Sequence, residues 1–536
     1  MSVLSDIATH TRASSATYVD ANGVLQTAAI DVPRVGHHLW NGSAWVDAGY
    51  FHESEARTNL ITHSEDFTDA SWSKTNTATL ALDATGPFGV ANSAVTLVDD
   101  GTSTSDTAVR ISSSAFTVTT STAYTFSMFC KADQLDWVFI RTNSFTSPAD
   151  KGAYFDLATG VLGTEEAGVT GLIEDYGSGW YRCSITFTTD VADTSGNIRV
   201  FLADADNDTT VALDGTSSIL IYGAQFEAGS TPSSYIPTDG STVTRAADVM
   251  TIPAANLPWP TPEFIGSELV TNGTFDTDTD WTKDPLSSGV PWVISDGVAS
   301  IDGTQTSFSD LLQGLPTEAG KVYAITFELT VTSGSIQVTA RTAPWSSTPP
   351  QEFTSSGTYT IIRTASSAAA VTFRAVSGFD GSVDNVSVRE INPLAMSIQM
   401  SGTTTYVDED SLGQQTFFQW KEDNDTQIRA NLGTNSTNTG VVRFRQEAAG
   451  VIDDVTSSSV YTPGINVPFN IASRHGSTFI NGAVDGTALT INTTPTSLPD
   501  LSSTDMDIAP TFMGTIDLFR MWKVDITDAG IADAST

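Results

Sequence analysis

Asn59-Leu-Ile-Thr-His-Ser-Glu-Asp-Phe-Thr-Asp-Ala-Ser-Trp72 has a second copy further along the chain, Glu268-Leu-Val-Thr-Asn-Gly-Thr-Phe-Asp-Thr-Asp-Thr-Asp-Trp281. Both copies open with Leu, a β-branched residue and Thr, cross a polar loop, and end on Trp. A short strand followed by a polar loop and an aromatic anchor is typical of the start of a β-sandwich. Because a repeat with this spacing is a whole domain, the sequence predicts at least two related modules.

The composition indicates a protein built from strands and turns. The chain has 536 residues, of which 40% are hydrophobic and 9% aromatic, enough for several domains with real cores. Ser, Thr, Gly, Asp and Val dominate, and helix-forming stretches rich in Leu, Lys and Glu are scarce. We therefore expect an all-β protein of tandem antiparallel β-sandwich (jelly-roll) domains with minimal helix.

The charge balance argues against two classes of partner. Sixty-two acidic residues face 24 basic ones, which gives a net charge of −38. Binding to a phosphate backbone needs clustered Lys and Arg, and the sequence shows no such cluster. We expect no nucleic-acid partner and no binding to anionic membranes, and we interpret the acidity as solubility in a saline medium.

The cysteines and the apolar runs bear on where the chain is made. Cys130 and Cys183 both fall on the apolar phase of an alternating strand, which favours buried free thiols over a disulfide. No stretch approaches the roughly 18 apolar residues of a membrane span, and the N-terminus has no basic and apolar leader. The sequence therefore predicts synthesis in a host cytoplasm, with no signal peptide and no membrane insertion.

The sequence divides into four regions. Residues 1–58 carry two Asn-Gly hairpin signals and are predicted to form a docking region. Residues 59–237 form the first module, and residues 263–392 form the second. Removal of the second module joins 238–262 directly to 393–536, so we expect these two segments to form one discontinuous sandwich with the second module inserted in a loop.

Several separated motifs resemble a known group of proteins. Thr11-Arg-Ala-Ser-Ser-Ala-Thr-Tyr-Val-Asp-Ala-Asn-Gly-Val-Leu-Gln-Thr-Ala and Ala56-Arg-Thr-Asn-Leu-Ile-Thr-His-Ser resemble tailed-bacteriophage virion proteins of the head-spike and fibre type. Gly179-Trp-Tyr-Arg and Tyr222-Gly-Ala-Gln-Phe-Glu-Ala-Gly-Ser follow the pattern of the jelly roll, similar to a carbohydrate-binding module, that continues the match in that group. This resemblance covers roughly residues 11–250.

Two further resemblances cover the rest of the chain. Leu269-Val-Thr-Asn-Gly-Thr-Phe-Asp and Val383-Asp-Asn-Val-Ser-Val are similar to a second carbohydrate-binding jelly-roll family, and 469–535 resembles the end of a concanavalin-like (laminin-G-like) sandwich. Together the resemblances imply a non-catalytic virion surface protein, either a head spike or decoration protein or a tail fibre. They also imply a homo-oligomer, expected to be a trimer, with capsid or tail proteins and host surface polysaccharide as partners.

One metal site is implied by the second resemblance. In that family a structural Ca²⁺ commonly bridges the opening loop and the last strand, where Asp276 and Asp384 stand here, and carboxylate oxygens suit Ca²⁺. The alternative is that both are ordinary surface acids. The first module has Gly223-Ala224 where Asp384 would align, so no metal is expected there, and no other cofactor is expected.

Exposed aromatic rings are the candidates for glycan binding. Trp345 lies in a loop bracketed by prolines, where a large ring has no evident packing partner, and is the first candidate. A subunit interface is an equally good interpretation, because exposed aromatics mark either. The same two interpretations hold for Trp40, Trp45 and Trp259, whereas the shared Trp72 and Trp281 are expected in the core.

Catalysis has little support in the sequence. The chain has no Gly-x-Ser-x-Gly, His-Glu-x-x-His or phosphate-loop motif, and its six histidines form no ligand-spaced set. We therefore expect no enzyme. Two alternatives stay open: a polysaccharide depolymerase, whose paired carboxylates would meet in space rather than in sequence, and a bacterial extracellular adhesin.

Overall fold

Nearly all regular structure in this protein is β. The computed structural model describes residues 4–102, 108–287, 289–338, 345, 350–407, 413–495 and 498–536. Strands account for 52% of the chain and helix for 3%, so the predicted all-β class is confirmed. Within those ranges, no helix is both long and apolar enough to cross a membrane. Cys130 and Cys183 are buried free thiols.

The N-terminal segment is a series of short elements: α1 (Leu4–Ile7), β1 (Thr9–Thr11), β2 (Ala16–Val19), β3 (Leu25–Ala28), β4 (Arg34–Val35), β5 (His38–Trp40), β6 (Trp45–Asp47), β7 (Tyr50–Glu53) and β8 (Arg57–Asn59). Strand β2 pairs with β3, and β5 pairs with β6. Both Asn-Gly hairpins are therefore present.

The first module is a sandwich of two antiparallel sheets. Its strands are β9 (Trp72–Thr75), β10 (Leu82–Ala84), β11 (Ala94–Val98), β12 (Arg110–Ser113), β13 (Phe116–Thr117), β14 (Ala123–Ala132), β15 (Trp137–Asn143), β16 (Gly152–Asp156), β17 (Val161–Glu165), β18 (Thr170–Asp175), β19 (Trp180–Thr188), β20 (Ser195–Ala203) and β21 (Ser218–Ala228). One sheet has the order β10-β11-β21-β14-β19-β18 and the other β17-β16-β15-β20-β12-β9. Phe126 and Phe226 of the first sheet share one apolar core with Ile140 and Val200 of the second.

A link with two strands and a short 3-10 helix leads to the second module: β22 (Val243–Arg245), β23 (Val249–Ile252) and the helix Ala254–Asn256. The second module then contains β24 (Phe264–Glu268), β25 (Thr282–Asp284), β26 (Val293–Ser295), β27 (Val298–Asp302), β28 (Ser309–Leu315), β29 (Val322–Ser333), β30 (Ile336–Val338), β31 (Gln351–Phe353), β32 (Gly357–Thr364), β33 (Ala369–Ala375) and β34 (Asp380–Ile391). Its sheets have the orders β26-β27-β34-β29-β32 and β25-β28-β33-β30-β31.

The two modules repeat one architecture down to the role of the shared Trp. In each, the strand after this Trp is the edge of the second sheet, and the next strands in order follow the same path. The Nε1 of Trp72 donates to the carbonyl oxygen of His63 at 2.9 Å, and that of Trp281 donates to the carbonyl oxygen of Asn272 at 3.0 Å. Both rings are buried. The shared Trp therefore closes the opening loop in both copies.

The third sandwich contains β35 (Ala395–Tyr406), β36 (Gln414–Lys421), β37 (Gln427–Gly433), β38 (Val441–Ala448), β39 (Val451–Ser459), β40 (Gly464–Gly476), β41 (Ile480–Val484), β42 (Thr487–Ala488), β43 (Met506–Ile508), β44 (Met513–Trp522) and α2 (Thr527–Ala534). Its sheets are β1-β23-β43-β36-β37-β38-β39 and β4-β7-β44-β35-β40-β41-β42. Strand β23 of the link thus lies in one sheet with strands of 393–536. The first 58 residues add three strands, β1, β4 and β7, although a separate docking region was expected there.

A buried ionic network holds these segments together. Arg34 contacts Glu53 through Nη1 at 2.6 Å and Asp248 through Nη2 at 2.5 Å. Arg12 contacts the other oxygen of Asp248 at 2.9 Å, and Arg245 contacts Glu53 at 3.1 Å. All five side chains are buried. This network, the ionic junction, joins the N-terminal segment to the link between the modules.

The ionic junction also reaches the end of the first module. Glu53 accepts hydrogen bonds from the backbone N–H of Ser234 at 2.8 Å and from its hydroxyl at 2.6 Å. Burial alone would raise the pKa of Glu53, but Arg245, Arg34 and the Ser234 hydrogen bonds lower it to about 2. Burial also raises the pKa of Asp248. The hydrogen bond with His10 and the charge of Arg34 lower it further than burial raises it, so this pKa lies well below its ordinary value. Both carboxylates are therefore charged in the folded protein.

We expect the folded state to lose stability as the pH falls below neutral. Burial lowers the pKa of His37 to about 3 and that of His52 to about 4, from 6.5, so below pH 6.5 only the unfolded chain takes up these protons. Glu53, lowered from 4.5 to about 2, stabilises the folded state above pH 4.5 and loses this effect as the pH falls from there. Thermal unfolding midpoints measured from neutral pH downward should fall, and His37→Gln should flatten the first part of the profile. A constant midpoint from pH 6.5 to 4 would contradict this account.

Candidate functional site

Trp345 is buried, so the expectation of an exposed ring was wrong. Its relative exposure is 6%, and it belongs to the core of the second module. The residue forms a bridge with Ala365, its ring lies edge-on to Tyr323 with centroids 6.0 Å apart, and its Nε1 donates to the carbonyl of Ala370 at 3.1 Å. These partners come from distant strands, which the loop sequence does not show. The residues on either side, 339–344 and 346–349, lie outside the described ranges.

Trp40 and Trp45 hold the β5–β6 hairpin against the first module. Their ring centroids lie 5.6 Å apart, and Trp45 lies 6.2 Å from Tyr176 in an edge contact. The Nε1 of Trp40 donates to Asp175 at 3.1 Å. Both rings are half-buried by these contacts. These contacts lie within the chain, and the two predicted roles, glycan binding and a subunit interface, stay predictions.

Trp259 packs in the third sandwich. Its ring is edge-on to Trp420 at 5.2 Å between centroids and lies against the core of that domain. It is half-buried. The packing gives Trp259 a structural role and leaves part of one ring at the surface.

Asp276 and Asp384 each accept a hydrogen bond from a residue nearby in the sequence. Asp276 accepts from the Thr274 hydroxyl at 2.7 Å, and Asp384 accepts from the backbone N–H of Asn385 at 2.6 Å. Over the described ranges, no group of three or more His, Cys, Asp or Glu side chains is placed to hold a metal. Because Ca²⁺ takes six to eight oxygen ligands, backbone carbonyls would have to supply most of them, and the calcium site stays a prediction.

One sheet of the first module has an unusual outer surface. Along a strand, alternate residues face opposite sides, and Val138, Ile140 and Val200 face the core. The residues between them face outward. We call this surface the outer face, and its members are Trp137, Phe139, Arg141 and Asn143 on β15, Tyr154 on β16, Asn197, Arg199 and Phe201 on β20, and Arg110 and Ser112 on β12.

The outer face begins with a row of aromatic rings. Tyr154, Phe139 and Phe201 are direct cross-strand neighbours, and Tyr154 stacks on Phe139 with centroids 4.1 Å apart and planes at 17°. Their exposures are only 5–6%, and half-buried Trp137 packs beside them. Antiparallel sheets usually carry polar residues on the outward side. Because the three rings are almost fully buried, neighbouring side chains must cover them, and those side chains form the surface that solvent contacts.

Arginines provide much of that cover. The Cζ atoms of Arg141 and Arg110 lie 5.0 and 5.5 Å from the centroid of Phe201, in cation–π geometry. Arg141 and Arg199 are directly opposed across β15 and β20. Like charges at opposed positions destabilise a sheet. Burial, followed by the charges of Arg110 and Arg141, lowers the pKa of Arg199.

A row of amides follows the arginines. Asn143 and Asn197 are the next opposed pair, and the Nδ2 of Asn143 donates to the Oδ1 of Asn197 at 2.6 Å. Along β15 the outer face therefore changes from aromatic to cationic to amide side chains. Rings, guanidinium groups and amides are the groups that bind the faces, charges and hydroxyls of sugars.

The second module has no such surface at the matching positions. Three residues after the shared Trp, the edge strand pairs with Arg110 in the first copy and with Asp310 in the second. Arg110 is opposed by Phe201, and Asp310 by Arg374. Arg374 binds Asp310 through two hydrogen bonds of 2.8 and 3.0 Å. Charge is thus neutralised within the second module.

The other matched positions differ in the same direction. The cross-strand registers show which positions of the two copies are equivalent. Phe139 corresponds to Gln337, Tyr154 to Glu352 and Arg199 to Thr372, so aromatic and cationic residues of the first copy are replaced by polar neutral or acidic ones. The match of Arg141 lies outside the described residues. The outer face is therefore a feature of the first copy and not of the shared architecture.

The outer face was missed in the sequence, although one signal was present. Trp137-Val-Phe-Ile-Arg and Ile198-Arg-Val-Phe-Leu carry large residues on both phases of the alternation, whereas a half-exposed strand has polar residues on one phase. The pattern marks a second apolar face. It does not reveal that Arg141 and Arg199 are neighbours, because that requires the pairing of β15 with β20.

Comparisons with known proteins gave only distant similarities. No protein-family model matches the chain, and no curated protein matches it. Among solved structures, the carbohydrate-binding module of a Ruminococcus gnavus sialidase with bound α2,6-sialyllactose aligns with 27% of this chain and 83% of its own, at 13% identity and a TM-score of 0.21. An 11S globulin from Wrightia tinctoria aligns with 60% of this chain and 85% of its own, at 8% identity and a TM-score of 0.07. Similarities at this level assign neither a family nor a ligand to this chain.

Replacement of Arg199 by the residue of the second module should not cost stability. Arg199→Thr removes the charge opposed to Arg141, so we expect an unchanged or higher free energy of unfolding, by about 0.5 kcal/mol. The matched control is Arg374→Thr, which removes the two hydrogen bonds that Arg374 donates to buried Asp310 and should cost roughly 2 kcal/mol. Both are measured by denaturant unfolding of the full chain. Equal destabilisation by the two substitutions would show that Arg199 is a structural residue.

Proposed function

We propose that this protein is a non-catalytic surface protein of a tailed-phage-like particle, a head spike or decoration protein or a tail fibre, that binds host surface glycans. The observation that carries the glycan-binding part is the outer face of the first module. It places aromatic, cationic and amide side chains in adjacent rows on a rigid sheet. The particle assignment rests on the sequence resemblance of residues 11–250 to virion proteins.

The outer face suits binding rather than cleavage. Half-buried Trp137 provides an apolar surface for a sugar ring, and the amides of Asn143 and Asn197 are donors and acceptors for hydroxyl groups. A flat sheet makes weak contacts with a single chain. In a homo-oligomer such as the expected trimer, several copies would act on one polysaccharide and raise the overall affinity.

We expect Trp137→Ala to weaken binding of the purified protein to host envelope polysaccharide by about tenfold, equivalent to ~1.4 kcal/mol. The loss comes from the apolar surface that this half-buried ring offers beside the aromatic row. Trp259→Ala is the matched control, since that ring packs in the third sandwich. Unchanged binding by Trp137→Ala would remove the outer face from the site. Shortening of the polysaccharide by the wild type would favour the depolymerase alternative.

The particle assignment has its own test. Antibody against this chain should label purified particles, at the capsid for a head spike or decoration protein and at the tail for a fibre. Capsid or tail proteins should then be the neighbours found by cross-linking. Label on the cell envelope of an uninfected bacterium, with none on particles, would show an adhesin instead.

A further inference from the structure

We infer that the glycan bound by the outer face is acidic and that its carboxylate groups bind between Arg141 and Arg199. This inference rests on the proposed glycan-binding function and adds the class of ligand. The site is a local group of cationic residues in a chain that is strongly acidic as a whole.

The guanidinium groups of Arg141 and Arg199 have few partners within the chain. Within the described ranges, Arg199 makes no hydrogen bond and no ion pair, and its Nε is buried without a partner. The Nε of Arg141 is likewise buried and unpartnered. Arg141 has one ion pair, a contact of 3.6 Å with the exposed side chain of Asp150. The Nε atoms of Arg34 and Arg443 also lack a hydrogen-bond partner, but those guanidinium groups have carboxylates within 4 Å, and Arg199 has none among the described residues.

Two arginines on another sheet have carboxylate partners close by. On β38, Arg445 binds Asp454 through two hydrogen bonds of 2.8 Å, and Arg443 lies 3.8 Å from the same carboxylate. In a chain with 62 acidic residues, a partner for Arg199 would be easy to supply. Arg429, which is opposed to Arg445, also forms no ion pair among the described residues, but Asp454 and Glu447 both pair with the neighbouring Arg445.

The Arg141 guanidinium is held over the Phe201 ring, and Arg199 is opposed to Arg141 on the next strand. A planar guanidinium binds a carboxylate through two parallel hydrogen bonds, which a hydroxyl group does not offer. The amides of Asn143 and Asn197 lie directly beside this row. A sugar acid would find a cation for its carboxylate and amides for its hydroxyls in one place.

The length of the outer face indicates a chain of sugars. From Trp137 to Arg141 the strand advances four residues, about 13 Å at ~3.3 Å per residue. The end near Tyr154 is acidic, since Glu166, Asp206 and Asp208 act on that ring and contribute to the raised pKa of Tyr154, after burial. Carboxylates of the ligand would therefore bind at the Arg141 end, and neutral parts would extend towards Trp137.

The acidic character of the rest of the protein makes this inference easy to test. A net charge of −38 repels polyanions, so binding of one at about 0.15 M salt requires a local cationic site. We would measure binding of the full-length protein to alginate, hyaluronan and polysialic acid, each beside its carboxyl-reduced form, with dextran as the neutral polymer and dextran sulfate as the sulfated one. The variants are Arg141→Gln and Arg199→Gln, with Arg443→Gln as the matched control.

We expect at least one acidic polymer to bind, carboxyl reduction to weaken it at least about tenfold, and each outer-face variant to weaken it similarly. Arg443→Gln should bind as the wild type does. Unfolding midpoints of the variants at wild-type level would show that the loss is not misfolding.

Other results would overturn the inference. Equal binding of intact and carboxyl-reduced polymers, or wild-type affinity in both outer-face variants, would leave the proposed function standing and remove the acidic ligand. Binding of dextran sulfate alone would replace the carboxylate with a sulfate. Failure of the wild type to bind any of these polymers or the host envelope polysaccharide would overturn both the inference and the proposed function.

Discussion

The arrangement of this protein depends on the pairing of Asp248 and Glu53 with three buried arginines. A charge removed from water costs several kcal/mol unless a partner and hydrogen bonds replace the solvent. Arg34 contacts both carboxylates, Arg12 contacts the second oxygen of Asp248, and Arg245 contacts the same oxygen of Glu53 as Arg34 does. These groups come from the N-terminal segment and from the link after the first module. Neither segment can bury its charges alone, so the ionic junction stabilises only the assembled chain and orients the first module against the third sandwich.

The features predicted correctly from the sequence are those that depend on residues close together in the chain. The duplicated opening, the Asn-Gly hairpins and the all-β class follow from residue types within a few positions of each other. The outer face does not, because Arg141 and Arg199 become neighbours only through the pairing of β15 with β20. The prediction of an exposed Trp345 was wrong for the same reason, since its partners Tyr323 and Ala370 come from other strands of the second module.

The duplication also changes where function should be sought. Two copies with one strand order suggest that differences between them lie in loops, yet the clearest difference found here is on a sheet. Where the first module has Arg110 opposed to Phe201, the second has Asp310 bound by Arg374. The residues facing the core are apolar in both copies. A sheet can vary in this way because its outward residues change without disturbing the inward ones.

The ionic junction and the outer face treat the same kind of charge in opposite ways. In the junction, each buried guanidinium has carboxylates of the chain within hydrogen-bonding distance, and the geometry is closed. On the outer face, Arg199 is opposed to a second cation and forms no ion pair within the described ranges, although the charge of Asp150 acts on it. Repulsion of this kind lowers the stability of the isolated protein. It becomes favourable only when an anion binds between the two groups, because the repulsion is then replaced by two charge-assisted hydrogen-bond pairs.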